Sequence, residues 1–213
     1  MRQRIGSKIL VFSVFAALIF EALTGILVAK RGFPSFISLG VMRLLEILVF
    51  LLIITGFNKD LSSIGLFRTT WASGLKKGLI WSAGFGVCAA AGFAILYMFQ
   101  IHPLSLLGRG ISFKRSDLIA YFIVGGLISP VAEEIFFRGI IYGFLRRWGV
   151  FLALICTTAL FAVIHSSGMH IPVIQALGGL LFAVAYEVEG SLMVPITIHV
   201  LGNMAIFTVL CMV

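Results

Sequence analysis

Glu133 and Glu134 stand side by side inside an apolar run, Ser116 to Phe144, with Arg138 close behind, in the string Ser-Pro-Val-Ala-Glu-Glu-Ile-Phe-Phe-Arg-Gly. A charged side chain at the centre of a bilayer costs about 3 kcal/mol on insertion scales, so three within six residues require partners or a water-filled pocket. Two further apolar runs carry histidines, Phe161-Ala-Val-Ile-His165 and His199-Val-Leu-Gly-Asn203. On a helix, residues four apart share a face, so Glu134 and Arg138 can neutralise one another as an ion pair. Glu133 is rotated about 100° from Glu134 and faces elsewhere. The split gives two carboxylates two tasks: one structural, one free to hold a proton or activate water.

The same spacing aligns His165 with Phe161, and Asn203 with His199. Neutral imidazoles inside a span serve as hydrogen-bond donors or proton shuttles. His199 and Asn203 offer two fixed donors at neighbouring heights, as an oxyanion hole requires. Pro130 removes a backbone donor just before the acidic pair and loosens that turn. The set supplies water activators and an anion cradle, so it can hydrolyse a peptide bond without a Ser or Cys nucleophile.

Glu-Glu-x-x-x-Arg, Phe-x-x-x-His and His-x-x-x-Asn, each in a separate apolar run and in this order, resemble the CPBP family of intramembrane proteases. That family includes CAAX-processing endopeptidases of Ras-converting type and bacterial relatives linked to bacteriocin processing or immunity. The motifs lie between Ser129 and Asn203, and the N-terminal half matches in hydropathy alone. The resemblance implies that Glu133 and His165 activate the water, that His199 and Asn203 form the oxyanion hole, and that Glu134, Arg138 and Phe161 support the site. It implies a membrane-anchored or C-terminally processed substrate, whether a lipidated peptide, a bacteriocin-like peptide or a sorting signal, and a bacterial cell membrane as its location. A carboxylate with two imidazoles can bind zinc. The sequence His-Glu-x-x-His is missing, however, so a glutamate-type mechanism without a cofactor is expected, with a zinc-dependent protease as the alternative. A proton-coupled transporter is disfavoured by the lack of a visible inverted repeat, and a non-catalytic immunity or scaffold protein by the intact motifs.

The elements that must position these groups are spans. The chain has 213 residues, 61% hydrophobic and 11% charged, with mean hydropathy +1.15, whereas soluble domains carry about 25% charged residues. An all-α, polytopic membrane protein is expected, a bundle of about seven transmembrane helices around a polar cavity, with residues 1–213 as one membrane domain and 117–212 as the catalytic helices. The runs fall at about 9–29, 35–57, 78–101, 117–145, 149–166, 171–185 and 192–212. The first is long enough to be retained as a helix rather than cleaved. Asn58 to Lys77 reads as a segment in the headgroup region.

The net charge of +8 is spread singly or in pairs at span ends, which suits anionic lipid headgroups and argues against nucleic acid. Arg2, Arg4, Lys8, Lys59, Arg68, Lys76, Lys77, Arg146 and Arg147 outnumber Lys30, Arg31, Arg109, Lys114 and Arg115, which favours an inside N-terminus and an outside C-terminus. Cys88, Cys156 and Cys211 read as small core residues. Gly84, Gly86, Gly92, Gly125, Gly126, Gly178 and Gly179 read as sites of close helix packing. Glu21, Arg43 and Glu46 read first as paired or snorkelling charges, with a contribution to a substrate path as the alternative, His102 and His170 as interface residues, and Glu187 and Glu189 as a solvated turn.

Overall fold

The computed structural model describes residues 5–29, 35–58, 60–102, 117–166 and 172–212. In hydrocarbon every backbone polar group needs an internal partner, and a run of apolar residues therefore folds as helix. Among the described residues seven helices result: α1 (Ser7–Ala29), α2 (Ser35–Asn58), α3 (Trp71–Met98), α4 (Leu118–Trp148), α5 (Val150–Ile164), α6 (Val173–Glu189) and α7 (Met193–Met212). Five of them, α1 to α4 and α7, are long and apolar enough to cross a membrane. The protein is an all-α, integral, multi-pass membrane protein. Helices α5 and α6, at 15 and 17 residues, are about 23 to 26 Å long, short of a 30 Å hydrocarbon core.

Helix α4 is the axis of the bundle and its most buried span. Helices α1 and α2 form a hairpin on one side of it, α5, α6 and α7 pack in succession on the other, and α3 lies outermost along α7. The α3–α7 seam is close: a Cβ at Gly78 would stand 2.5 Å from the Thr197 Cβ. Two apolar clusters fill the interior. One gathers Ile5, Phe50, Ile54, Ile64, Ile140, Tyr142 and Tyr186, the other Phe137, Phe161, Phe182, Val194 and Ile198.

Helix α4 is not uniformly wound. Val124–Ile128 and Ile135–Tyr142 are π-helical, flanking an α-helical turn at Ser129–Glu134. Single π turns inside α-helices often accompany functional sites, and Pro130, in the intervening turn, has no N–H to give to the preceding turn.

Several expectations need correction. Helix α3 begins at Trp71 rather than near Gly78, because hydropathy ends at Lys76 and Lys77 while the backbone continues to wind past them. The preceding segment makes two short turns, Ser62–Ile64 and Arg68–Thr70, and buries Ile64 fully against the bundle while Phe67 and Trp71 stay exposed. Ser62 donates its hydroxyl and its N–H to Asp60, which holds that carboxyl below its ordinary range. Gly65, at φ +75°, fits against the Gly190 carbonyl, where an added Cβ would sit 2.7 Å away. Its own oxygen accepts the Leu192 N–H at 3.2 Å.

Glu187 and Glu189 are not simply solvated. Glu187 accepts from Tyr142 (2.8 Å) and Arg146 (2.8 Å), and Glu189 from Trp81 (3.0 Å) and Lys77 (2.7 Å). These bonds, with that of Arg147 to the Ile5 carbonyl, place Lys77, Arg146, Arg147 and the start of α1 at one end of the bundle. The other charges in the orientation count, apart from Lys8, Arg68 and Lys76, lie outside the described residues, as does His170.

The cysteines are free and exposed rather than core, which costs nothing where the surroundings are hydrocarbon. Gly84, Gly86 and Gly92 meet nothing within 4 Å. Gly125, Gly126 and Gly179 do make close approaches, to Phe207, Met204 and Phe161, while Gly178 makes only an ordinary contact with Phe182 of its own helix.

Candidate active site

The i,i+4 spacing in α4 produces the ion pair it suggests: Arg138 Nη1 donates to Glu134 Oε1 at 2.9 Å, with both side chains fully buried. Two charges out of water need further partners. Arg138 Nη2 donates to the Gly179 carbonyl on α6 at 2.9 Å, and the guanidinium lies 4.7 Å from the Phe161 ring and 5.2 Å from that of Phe182. His199 Nδ1, on α7, stands 2.8 Å from the same Glu134 Oε1. One carboxylate oxygen thus ties α4 to α7 while its cation ties α4 to α6.

Glu133, one residue earlier, points into a different space. Its Oε2 lies 3.5 Å from His165 Nε2 and 3.8 Å from His199 Nε2, and makes no hydrogen bond among the described residues. His165 follows the last residue of α5, and its Nδ1 is 2.8 Å from the Phe161 carbonyl. A carbonyl only accepts, so this Nδ1 carries a proton, and when the ring is neutral its bare Nε2 faces Glu133. The Glu134 carboxylate assigns the His199 proton to Nδ1 in the same way. With both rings neutral, three acceptor atoms, Glu133 Oε2 and the two Nε2, face one another, and acceptors converge only around a proton, a water or a cation.

The imidazoles are packed from behind by aromatic rings: Phe161 against His165 at 4.4 Å, and Phe182 stacked on His199 at 4.6 Å. Glu133 and His165 open onto a cavity of about 520 Å³ between α1, α2, α4 and α5, otherwise apolar except for Glu21, Arg43 and Glu46, contributed by α1 and α2. Arg43 bridges both of those carboxylates, at 2.5 Å to Glu21 and 2.6 Å to Glu46. Pairing was expected for Arg43 and Glu46, with a contribution of all three residues to a substrate path as the alternative, and their place on the wall of this cavity is compatible with that alternative.

Of the four residues assigned to catalysis from sequence, the structure brings Glu133, His165 and His199 together. Asn203 is one turn beyond His199 on α7, and its Nδ2 donates to the Gly125 carbonyl at 3.0 Å. Sequence reasoning missed Phe182, one of 20 phenylalanines with nothing in its spacing to mark it. It read Gly179 as packing alone, although its carbonyl also receives Arg138. Among the described residues no group of three or more His, Cys, Asp or Glu stands in a metal-holding arrangement.

Comparison with known proteins falls on these same helices. Residues 115–205 match the family model described as Rce1-like, type II CAAX prenyl endopeptidase Rce1-like. Over 82 residues the chain is 33% identical to a Bacillus subtilis (strain 168) protein named "Putative membrane peptidase YdiL", a match covering 38% of this chain and 33% of that relative. The chain thus aligns with about a third of the length of this curated relative. No solved structure matches. The motif-bearing region is thus similar to that family model, in line with the CPBP resemblance its three motifs carry.

Proposed function

We propose that this protein is an intramembrane endopeptidase of glutamate type, in which Glu133 and His165 activate a water molecule for attack on a peptide carbonyl. The observation that carries the reading is the convergence of Glu133 Oε2 and His165 Nε2 at 3.5 Å, two bare bases at the end of an apolar cavity. A water held between them gives a proton to Glu133 as its oxygen bonds to the carbonyl carbon. Glu133 then returns that proton to the departing amine nitrogen as the C–N bond breaks, leaving a new carboxylate and a new amine.

The tetrahedral intermediate carries a negative oxygen, and His199 with the remaining N–H of Asn203 supplies its donors. Because His199 Nδ1–H is already given to Glu134, an Nε2–H exists on the imidazolium alone, so this reading requires His199 to have taken a second proton from solvent before the water attacks. Glu134, Arg138 and Phe161 hold the two imidazoles in place. The apolar cavity suits a membrane-embedded or lipid-modified segment, and the substrate class is a membrane-associated protein or peptide cleaved near an end. Zinc held by Glu133, His165 and His199 is the competing source of nucleophile.

The test is an unbiased comparison of protein termini in membranes from cells carrying the parent and Glu133→Gln, followed by cleavage of the identified peptide by purified protein in H₂¹⁸O. New termini seen only with the parent, and one ¹⁸O in the new carboxylate, are the expected result. Identical termini in both membranes would sink the proposal.

A further inference from the structure

The first π turn of α4 leaves one carbonyl without a donor from its own helix. In an α-helix the Gly125 oxygen would receive the Ser129 N–H, but here that N–H bonds to Val124 O. In the wider π register the donor to Gly125 would be residue 130, which is proline and has none. The oxygen is taken instead by Asn203 Nδ2, reaching across from α7 at 3.0 Å. Beside it, Gly126 brings α4 so near α7 that an added Cβ would sit 2.8 Å from Met204 Cε.

A π turn holds one residue more than an α turn, and at 3.6 residues per turn that residue rotates everything after it by about 100°. Glu133 lies in the α-helical turn that follows. We infer that Asn203 is a positioning residue for Glu133: by closing the carbonyl that Pro130 leaves open, it holds the rotational phase at which α4 presents Glu133 to His165 and His199. This role is separate from any donation to an oxyanion, since the amide has two N–H groups and the bond to Gly125 uses one. Its catalytic consequence rests on the reading of Glu133 as the base, while the bond itself does not.

The experiment is a double-mutant cycle of Pro130→Ala and Asn203→Ala, since an alanine at position 130 supplies the missing N–H. Asn203→Ala alone is expected to lower Tm and to cost about 100-fold in kcat at unchanged KM, the scale of a small misplacement of a reacting group. With Pro130→Ala present, the same change should leave Tm nearly where it was and recover at least about tenfold of that loss. Equal costs in the two backgrounds, or lost kcat with Tm untouched in Asn203→Ala alone, would overturn the inference, and the second of these needs no folded Pro130→Ala protein.

A readout independent of activity is the maleimide labelling rate of a Glu133→Cys thiol, with Cys88, Cys156 and Cys211 changed to Ser. Asn203→Ala should slow that labelling severalfold and Pro130→Ala should restore it. If cleavage is never found, the proposed function fails while Tm and labelling still decide the inference. Labelling that ignores Asn203 removes the link to Glu133.

Discussion

Arg138→Met is the perturbation that asks most of this architecture. The substitution keeps an unbranched apolar stem but removes Nη1 from Glu134, Nη2 from the Gly179 carbonyl and the cation from between the Phe161 and Phe182 rings. What remains is a fully buried Glu134 carboxylate with His199 as its one remaining hydrogen-bonding partner among the described residues. Breaking a buried pair on one side costs about 3 to 5 kcal/mol. For a chain of this size each kcal/mol moves the melting temperature by about 2 to 4 °C, so a fall of about 6 to 20 °C is expected. The assay is thermal unfolding of the purified proteins in one detergent, beside Glu133→Gln and the double variant Glu134→Met with Arg138→Met. Glu133→Gln should melt close to the parent and lose turnover, since Glu133 Oε2 has no hydrogen bond to forfeit. The double variant should recover most of the lost stability, because an apolar pair replaces the ionic one without stranding a charge. It should nonetheless stay inactive, since His199 loses the acceptor that assigns its proton. An Arg138→Met protein melting within about 2 °C of the parent, with Glu133→Gln melting far lower, would refute the division of labour and exchange the roles of the two glutamates.

His199→Ala should lower kcat by about 100- to 1000-fold through loss of one oxyanion donor, with KM largely kept, as steady-state kinetics on the identified peptide would show. Prolonged chelation should leave activity undiminished, and elemental analysis should find no stoichiometric zinc. One equivalent of zinc, with activity that chelator removes and zinc restores, would assign the nucleophile to a metal-bound water. Gly78→Val should cost about 1 to 3 kcal/mol by overpacking, because its Cβ would meet Thr197 at 2.5 Å. Thermal unfolding measures it, and an unchanged midpoint would mean that α3 slides along α7 without penalty.

Residue type and spacing were enough for the helical membrane class, six of the seven helices to within a few residues at most ends, and the Glu134–Arg138 pair. These are local matters: an apolar run in hydrocarbon has one way to satisfy its backbone, and an i,i+4 pair meets on any helix. The start of α3 escaped because hydropathy marks where a chain is apolar rather than where it winds. The cysteines and the α3 glycines escaped because a helix that is apolar all round does not say which side faces protein. The convergence of Glu133 with His165 and His199 is different in kind. Motif order placed the three on separate helices, but their nitrogens and oxygen meet because α4 carries π turns that reset its phase, because Phe161 and Glu134 fix the two imidazole tautomers, and because Asn203 closes a carbonyl 78 residues away. Those contacts join residues far apart in the chain, and only a folded bundle, in which each freed carbonyl or buried charge must find its partner on another helix, decides them.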